Sequence, residues 1–243
     1  MEFRVRVVAI GVILLCSLGV LSAGDPSSGE SAQILDSYLA VSRSQQDRLK
    51  GSIAEVSIDA ELPRLHKWGR LSALRHISRV GRITYDILRY DGDNAVKNDV
   101  IARYLNAEVQ VRESRDASLA VAPENYKFSF KGRRQLEGRS VYLFDLKPRA
   151  KRKGLFKGAL WIDAQSYLPV RESGYLVKSP SVFIKKVHFT RDYETANGLA
   201  VVARIDTTVE TRIVGEAHMT VRYADYRFDP ASGDVGLISA DSQ

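Results

Sequence analysis

The stretch GLFKGALWIDAQSYLPVRESG, Gly154 to Gly174, decides how the chain is read. Trp161 and Asp163 stand beside a short polar break. Two readings compete: a catalytic carboxylate on an aromatic shelf, or two strands joined by a turn. The alternation favours the second. Gly158 to Asp163 reads as a strand, Ala164 to Ser166 as a turn, and Tyr167 to Gly174 as the next strand. Pro169 predicts an edge position or a bulge, because proline cannot donate to a sheet ladder. On this reading Trp161 is a packing residue.

The flanking segments continue the pattern. Tyr126, Phe128 and Phe130 alternate with Lys127, Ser129 and Lys131. SVYLFDL, SVFIKKVHFTRDYE, VVARIDTTVETRIVG and AHMTVRYADYRFD extend the series, and Glu137-Gly138, Ser173-Gly174 and Asn197-Gly198 are the turn signals between them. Upstream, Ala54, Val56, Ile58, Ala60 and Leu62 alternate with polar residues, and 70–79 and 82–90 read as two further strands, the second with Ile83, Tyr85 and Ile87 on one side.

Two segments have helical spacing. Ile34, Leu35, Tyr38, Leu39 and Val41 predict an amphipathic helix over 32–49. Val96, Val100, Ile101, Tyr104, Leu105 and Val109 predict another over 94–112, capped by Asp93 or Asn94. The fold class is therefore α+β, with one curved antiparallel sheet and a helical layer.

The ends narrow the setting. Arg4 and Arg6 precede a fifteen-residue apolar run, Val7 to Leu21, and LSAGD supplies small residues for cleavage. This is the layout of a secretory signal peptide over 1–23, the other reading being an uncleaved anchor. Residues 24–31 read as a flexible linker and 32–243 as one domain. Cys16 lies in the leader, so the expected mature chain has no cysteine. A disulfide-free exported chain fits a Gram-negative-type periplasm. The net charge of +7 falls to about +6 without the leader. It suits an anionic lipid surface, and export argues against nucleic acid.

The residues offer little for catalysis. His66, His76, His188 and His218 have no metal-ligand spacing, and there is no HExxH, Gly-x-Ser-x-Gly or phosphate-cradling loop. Asp163, Glu172, Asp192 and Glu194 flank expected turns and form the basis of a weaker hydrolase reading. No catalytic residue, metal or cofactor is assigned. The densest charge is KPRAKRKGLFK, 147–157. It is either a solvated tip or a contact for anionic head groups through Lys151, Arg152 and Lys153, with Phe156 dipping into the interface.

This order of elements, with LWIDAQSYLPVR at its most specific point and FIKKVHFTRDY after it, resembles the periplasmic lipoprotein carriers of the outer-membrane lipoprotein-sorting family. The resemblance covers most of the expected mature chain. It implies a LolA-like fold, an unclosed β-barrel wrapped around helices with acyl chains held between, and a binding protein rather than an enzyme. It places Val100, Ile101, Tyr104 and Leu105 of the second helix opposite Phe128, Phe130 and Trp161 of the sheet as ligand-binding residues, with no charge entering the cavity. Some carriers latch their lid with an arginine, to which no residue here is matched. The expected ligand is a lipid, lipoprotein acyl chains or another hydrophobic molecule. A scaffold or sensor module that uses the sheet for protein contact is the alternative.

Overall fold

A computed structural model describes residues 26–113 and 119–228. The leader expected over 1–23, its cleavage site and Cys16 lie outside the described residues. Helix α1 (Pro26–Arg48) begins inside the stretch read as a linker. Pro26 suits a helix start, since its fixed φ is helical and the first N–H has no helical acceptor. Strands β1 (Ser52–Leu62), β2 (Lys67–Ile77) and β3 (Ile83–Gly92) follow. The second helical segment is a short α2 (Asn94–Val96), a π-helical stretch Lys97–Ile101 and α3 (Ala102–Glu113). Strands β4 (Tyr126–Leu136), β5 (Arg139–Pro148), β6 (Phe156–Asp163), β7 (Pro169–Leu176), β8 (Ile184–Ala196), β9 (Leu199–Thr211) and β10 (Glu216–Phe228) complete the chain.

All ten strands form one antiparallel sheet, ordered β3-β2-β1-β10-β9-β8-β7-β6-β5-β4. The last strand pairs with the first, so the meander is nearly continuous, but the edge strands β3 and β4 do not pair with each other. The sheet is curved and unclosed. The segment 94–113 follows β3, and its buried residues pack on the concave face over β1, β2, β9 and β10.

One row of side chains on that face can be followed across every strand by register: Phe130, Phe144, Leu160, Glu172, Arg191, Ile205, Val221, Ile58, Leu71 and Tyr90. The row is apolar at both flanks and charged in the middle. Two cores result. One joins β1, β2, β9 and β10 to Val96, Ile101 and Leu105 of the second helical segment. The other packs Ile34 and Tyr38 of α1 against Tyr126, Phe144, Leu160 and their neighbours on β4–β6. The convex face carries ion pairs instead, such as Asp59 with Arg70 and Arg222.

The opening stretch is a hairpin. Asp163 accepts hydrogen bonds from the N–H groups of Gln165 (3.0 Å) and Ser166 (2.8 Å) and from Ser166 Oγ (2.9 Å), which is turn capping. Pro169 opens β7, an interior strand, at a register shift opposite Trp161 and Ile162, so the bulge reading holds rather than the edge one. Glu137-Gly138 and Asn197-Gly198 are tight turns with positive φ at both residues, as a two-residue hairpin demands. Ser173-Gly174 is not a turn: it lies within β7, where Gly174 faces Gly158. A Cβ at Gly158 would stand 1.8 Å from the Ser173 carbonyl oxygen. That contact is backbone, so the strands must part. Gly158→Ala is expected to lower stability by about 3 kcal/mol. Gly29→Ala, on the exposed face of α1 with nothing near its Cβ, should leave it unchanged or raised. Urea midpoints of the two variants check this; equal midpoints would show that β6 and β7 do not approach as described.

Three smaller expectations shift. Ile87 keeps register with Ile83 and Tyr85, opposite Ala73, but on edge strand β3 it is left 49% exposed. Asp93 makes no side-chain cap; its Oδ2 accepts from the Trp68 N–H at 3.0 Å. Ile213 lies outside the strands, exposed at the β9–β10 turn.

Candidate functional site

The site is the seam between the two cores, where the helices meet the charged middle of the concave face. Helical periodicity turns Val100, Ile101, Tyr104 and Leu105 toward the sheet, and all four join the first core. Ile101 and Val96 are completely covered. Phe128 and Phe130 pack in the second core, around Phe144. The structure thus separates the expected lining into two clusters. Trp161 belongs to neither. It pairs with Arg171, in the row that continues to Asp192 and Arg204, and so lies on the opposite face from Leu160 and Ile162.

Charge enters this interior, contrary to the expectation of a purely apolar cavity. Glu108 of α3 is the hub. Its Oε1 accepts from Arg75 Nε (3.0 Å) and Nη2 (2.6 Å), and its Oε2 accepts from the hydroxyls of Tyr85 and Tyr223. Tyr104 and Tyr223 share a hydrogen bond of 3.2 Å between their hydroxyls, and the Arg75 guanidinium lies over the Tyr223 ring. This cluster ties α3 to β2, β3 and β10 at once.

A second cluster sits at the centre of the sheet. Arg191 Nη1 donates to Glu172 Oε2 at 2.9 Å, and Glu172 is buried. Tyr193 stands beside both, and the Glu172 carboxylate adds to burial in raising its hydroxyl while Arg191 opposes this. Arg191 Nε is buried without a hydrogen-bond partner, although the side chain as a whole retains 37% of its surface. Burial is the main reason that the Tyr104 hydroxyl is pushed up to about 12, with Glu108 adding to it. Burial also raises Tyr38, Tyr85 and Tyr193, again with help from Glu108 or Glu172. The hydroxyls therefore stay protonated, and that of Tyr85 serves as a donor to Glu108.

The carboxylates considered for hydrolysis part company. Asp163 caps its turn, Asp192 pairs with Arg171 on the convex face, and Glu172 alone is inside. Both inner carboxylates, Glu108 and Glu172, are held by arginines. Two shallow hollows, one beside His76 and Ile77 and one beside Arg133 and Arg134, border neither cluster.

Lys151, Arg152 and Lys153 are exposed in the β5–β6 loop as expected. Phe156 does not dip outward. It is buried in the second core, edge-on to Phe189, because β6 turns it to the concave face.

No protein-family model matches the chain, and no curated protein is significantly similar to it. Among solved structures, a DUF1329 family protein from Desulfovibrio piger is 14% identical, with 84% of this chain and 94% of that one covered and a TM-score of 0.42. A putative outer membrane lipoprotein-sorting protein domain from Vibrio parahaemolyticus is also 14% identical, over 83% and 94%, with a TM-score of 0.38. A LolA superfamily protein from Nitrosomonas europaea is 12% identical, over 82% and 93%, with a TM-score of 0.38.

Proposed function

We propose that the chain is an exported, non-enzymatic binding protein for a lipid, lipoprotein acyl chains or another hydrophobic molecule, taken up between the curved sheet and the segment 94–113. The observation that carries this reading is how that segment is fastened. It lies on the concave face over one of the two cores, and its apolar stripe is laid on β1, β2, β9 and β10. Its polar attachment is concentrated at Glu108, held by Arg75, Tyr85 and Tyr223. A π-helical stretch lies at its start, a departure from regular winding that is frequent at functional sites. Breaking one hub frees a helix whose inner face is already apolar, and acyl chains then replace the contacts of Val100, Ile101 and Leu105. The state described here is the closed one, with that stripe covered. Transfer of acyl chains contributes about 0.8 kcal/mol per buried methylene. The interior arginines suit an amphiphile with a polar end better than a plain hydrocarbon.

The test is uptake of a fluorescent fatty-acyl probe, together with mass spectrometry of an organic extract of the protein. Wild type should take up the probe and carry lipid from the cell. Val100→Glu puts a charge into the half-buried part of the stripe and should abolish uptake while the far-UV signal of the sheet persists. Glu108→Gln exchanges charge-assisted bonds for neutral ones, a loss of about 1.4 kcal/mol, and should speed uptake about ten-fold. Wild type that takes up no probe and yields no lipid sinks the carrier reading. The scaffold alternative then gains, and the exposed Ile87 and Leu88 on edge strand β3 are where its partner would add.

A further inference from the structure

Antiparallel order gathers four strand-to-strand loops at one end of the sheet: 63–66, 149–155, 177–183 and 212–215. Together they contain seven Lys or Arg and no Asp or Glu, so this rim is cationic, most densely at Lys151, Arg152 and Lys153. At the same end the connections to the helical segment bring Asp93, which is engaged by the Trp68 N–H, and Glu124. The strand ends level with Trp68 bring Glu61, Glu210 and Glu216 against Lys67, Lys185 and Lys186, so the excess of cations comes from the loops.

The rim is also where apolar surface is left uncovered. Of the eight large apolar side chains exposed among the described residues, five stand here: Leu65, Trp68, Val182, Phe183 and Ile213. Val182, Ile213 and Phe183 are 78%, 68% and 59% exposed. Their loops are held in place. The Arg212 N–H donates to the Phe183 carbonyl and Arg212 Nε to the Val182 carbonyl, both at 2.9 Å. The Val177 N–H donates to the Leu155 carbonyl at 3.0 Å, joining this loop to the basic one. The apolar tips are therefore fixed outward at the end of the sheet, with cations around them.

We propose that this rim docks on an anionic phospholipid bilayer, with Val182, Phe183 and Ile213 entering the interface and the surrounding Lys and Arg among the head-group phosphates. Contiguous exposed apolar surface marks an interaction site. The ring of like charge selects the occupant: a second copy of this rim would set cations against cations, whereas an anionic head-group layer complements them and the acyl boundary accepts the side chains. The inference does not depend on the carrier reading, and it gives Lys151, Arg152 and Lys153 their apolar companions, the role that Phe156 cannot fill.

The protein as recovered from the cell envelope is sedimented with phosphatidylcholine vesicles, with and without phosphatidylglycerol. Binding should require phosphatidylglycerol and weaken with salt. Replacing Lys151, Arg152 and Lys153 by Ser should lower it about a hundred-fold at low salt, at about five-fold per cation. Val182→Ser, Phe183→Ser and Ile213→Ser combined should lower it at least ten-fold, without change in thermal stability because all three side chains are exposed. In a Phe183→Trp variant, emission should shift to the blue on anionic vesicles and be quenched by lipids brominated in the acyl chain. An unshifted, unquenched Trp overturns the proposal, as does an apolar variant that binds like wild type. Concentration-dependent dimerisation that the apolar variant abolishes, with no vesicle binding, also overturns it and assigns the rim to a second copy. Probe uptake plays no part in these measurements, so their failure and that of the carrier reading are told apart.

Discussion

Replacing Arg191 by Ala is expected to lower stability by about 3 kcal/mol, and replacing Glu172 together with it should restore most of that loss. Glu172 is one of two buried charged residues among those described, with Arg75, and Arg191 is its cationic partner. Removing the partner of a buried charge costs about 3–5 kcal/mol, because the remaining charge keeps its desolvation penalty without compensation. The lower end applies here, since Arg191 retains 37% of its side-chain surface and water tempers the field. A double variant, Glu172→Leu with Arg191→Met, removes both charges from a row whose neighbours are Leu160 and Ile205. Such replacements are neutral or stabilising when volume is kept. The expected order of urea midpoints is therefore wild type and double variant together, with each single variant well below. Single variants close to wild type would mean that water already reaches the pair in the closed state.

That ion pair also marks the boundary of what the sequence reveals. Period-two alternation is enough for β1, β4 and β9, because a half-buried sheet writes its two faces as alternating residue types. Helical spacing is enough for the stripe of the helical segment as well, where Val96, Ile101 and Leu105 are buried as the spacing requires. Alternation fails on β7 and β8, where Arg171-Glu172 and Arg191-Asp192 put a charge on both faces. Nothing within either strand tells which of the two points inward. The signal lies between strands: an Arg-Glu dipeptide against an Arg-Asp dipeptide in antiparallel register gives one ion pair per face, Arg171 with Asp192 outside and Glu172 with Arg191 inside. The Glu108 hub was hidden for a related reason. A glutamate on an amphipathic helix reads as solvent-facing, and its three partners come from segments 33 residues upstream to 115 residues downstream. Trp161 misled in the opposite direction, since a large aromatic residue reads as inward, yet its register neighbour is Arg171 on the convex face. Ser173-Gly174 read as a turn because glycine marks both turns and close strand contacts, and only pairing with Gly158 separates the two.

At high pH the protein is expected to unfold in one cooperative step near pH 11, and phenolate absorbance should rise in that same step. Seven tyrosines of the interior have raised hydroxyl pKa values: Tyr104 and Tyr126 are pushed up to about 12, and Tyr38, Tyr85, Tyr193, Tyr223 and Tyr226 higher still. Burial is the main cause in each case, because a phenolate there would lose its water. In the unfolded chain they titrate near their ordinary value of about 10. The folded state therefore holds protons that the unfolded state releases. This contribution is fully present below about pH 10 and is lost as pH rises from there through the raised values. Each such proton changes stability by at most about 1.36 kcal/mol per pH unit, and by about 1 kcal/mol from pH 10 to 11 because the unfolded tyrosine is half-titrated at about pH 10, so seven together remove about 7 kcal/mol over that unit. A domain of ordinary stability has about 5–15 kcal/mol in all, which places the transition inside that interval or just beyond it. The hydroxyls cannot give way singly, because those of Tyr85 and Tyr223 are donors to Glu108 and ionising either sets two anions side by side. The measurement is paired absorbance and far-UV titration on one sample. Coincident sigmoids steeper than a one-proton curve are the expected result. A gradual phenolate titration centred near the ordinary value, with the sheet signal intact past pH 12, would show that these rings are wetted, and the seam would then be open in the resting protein rather than closed by the segment 94–113.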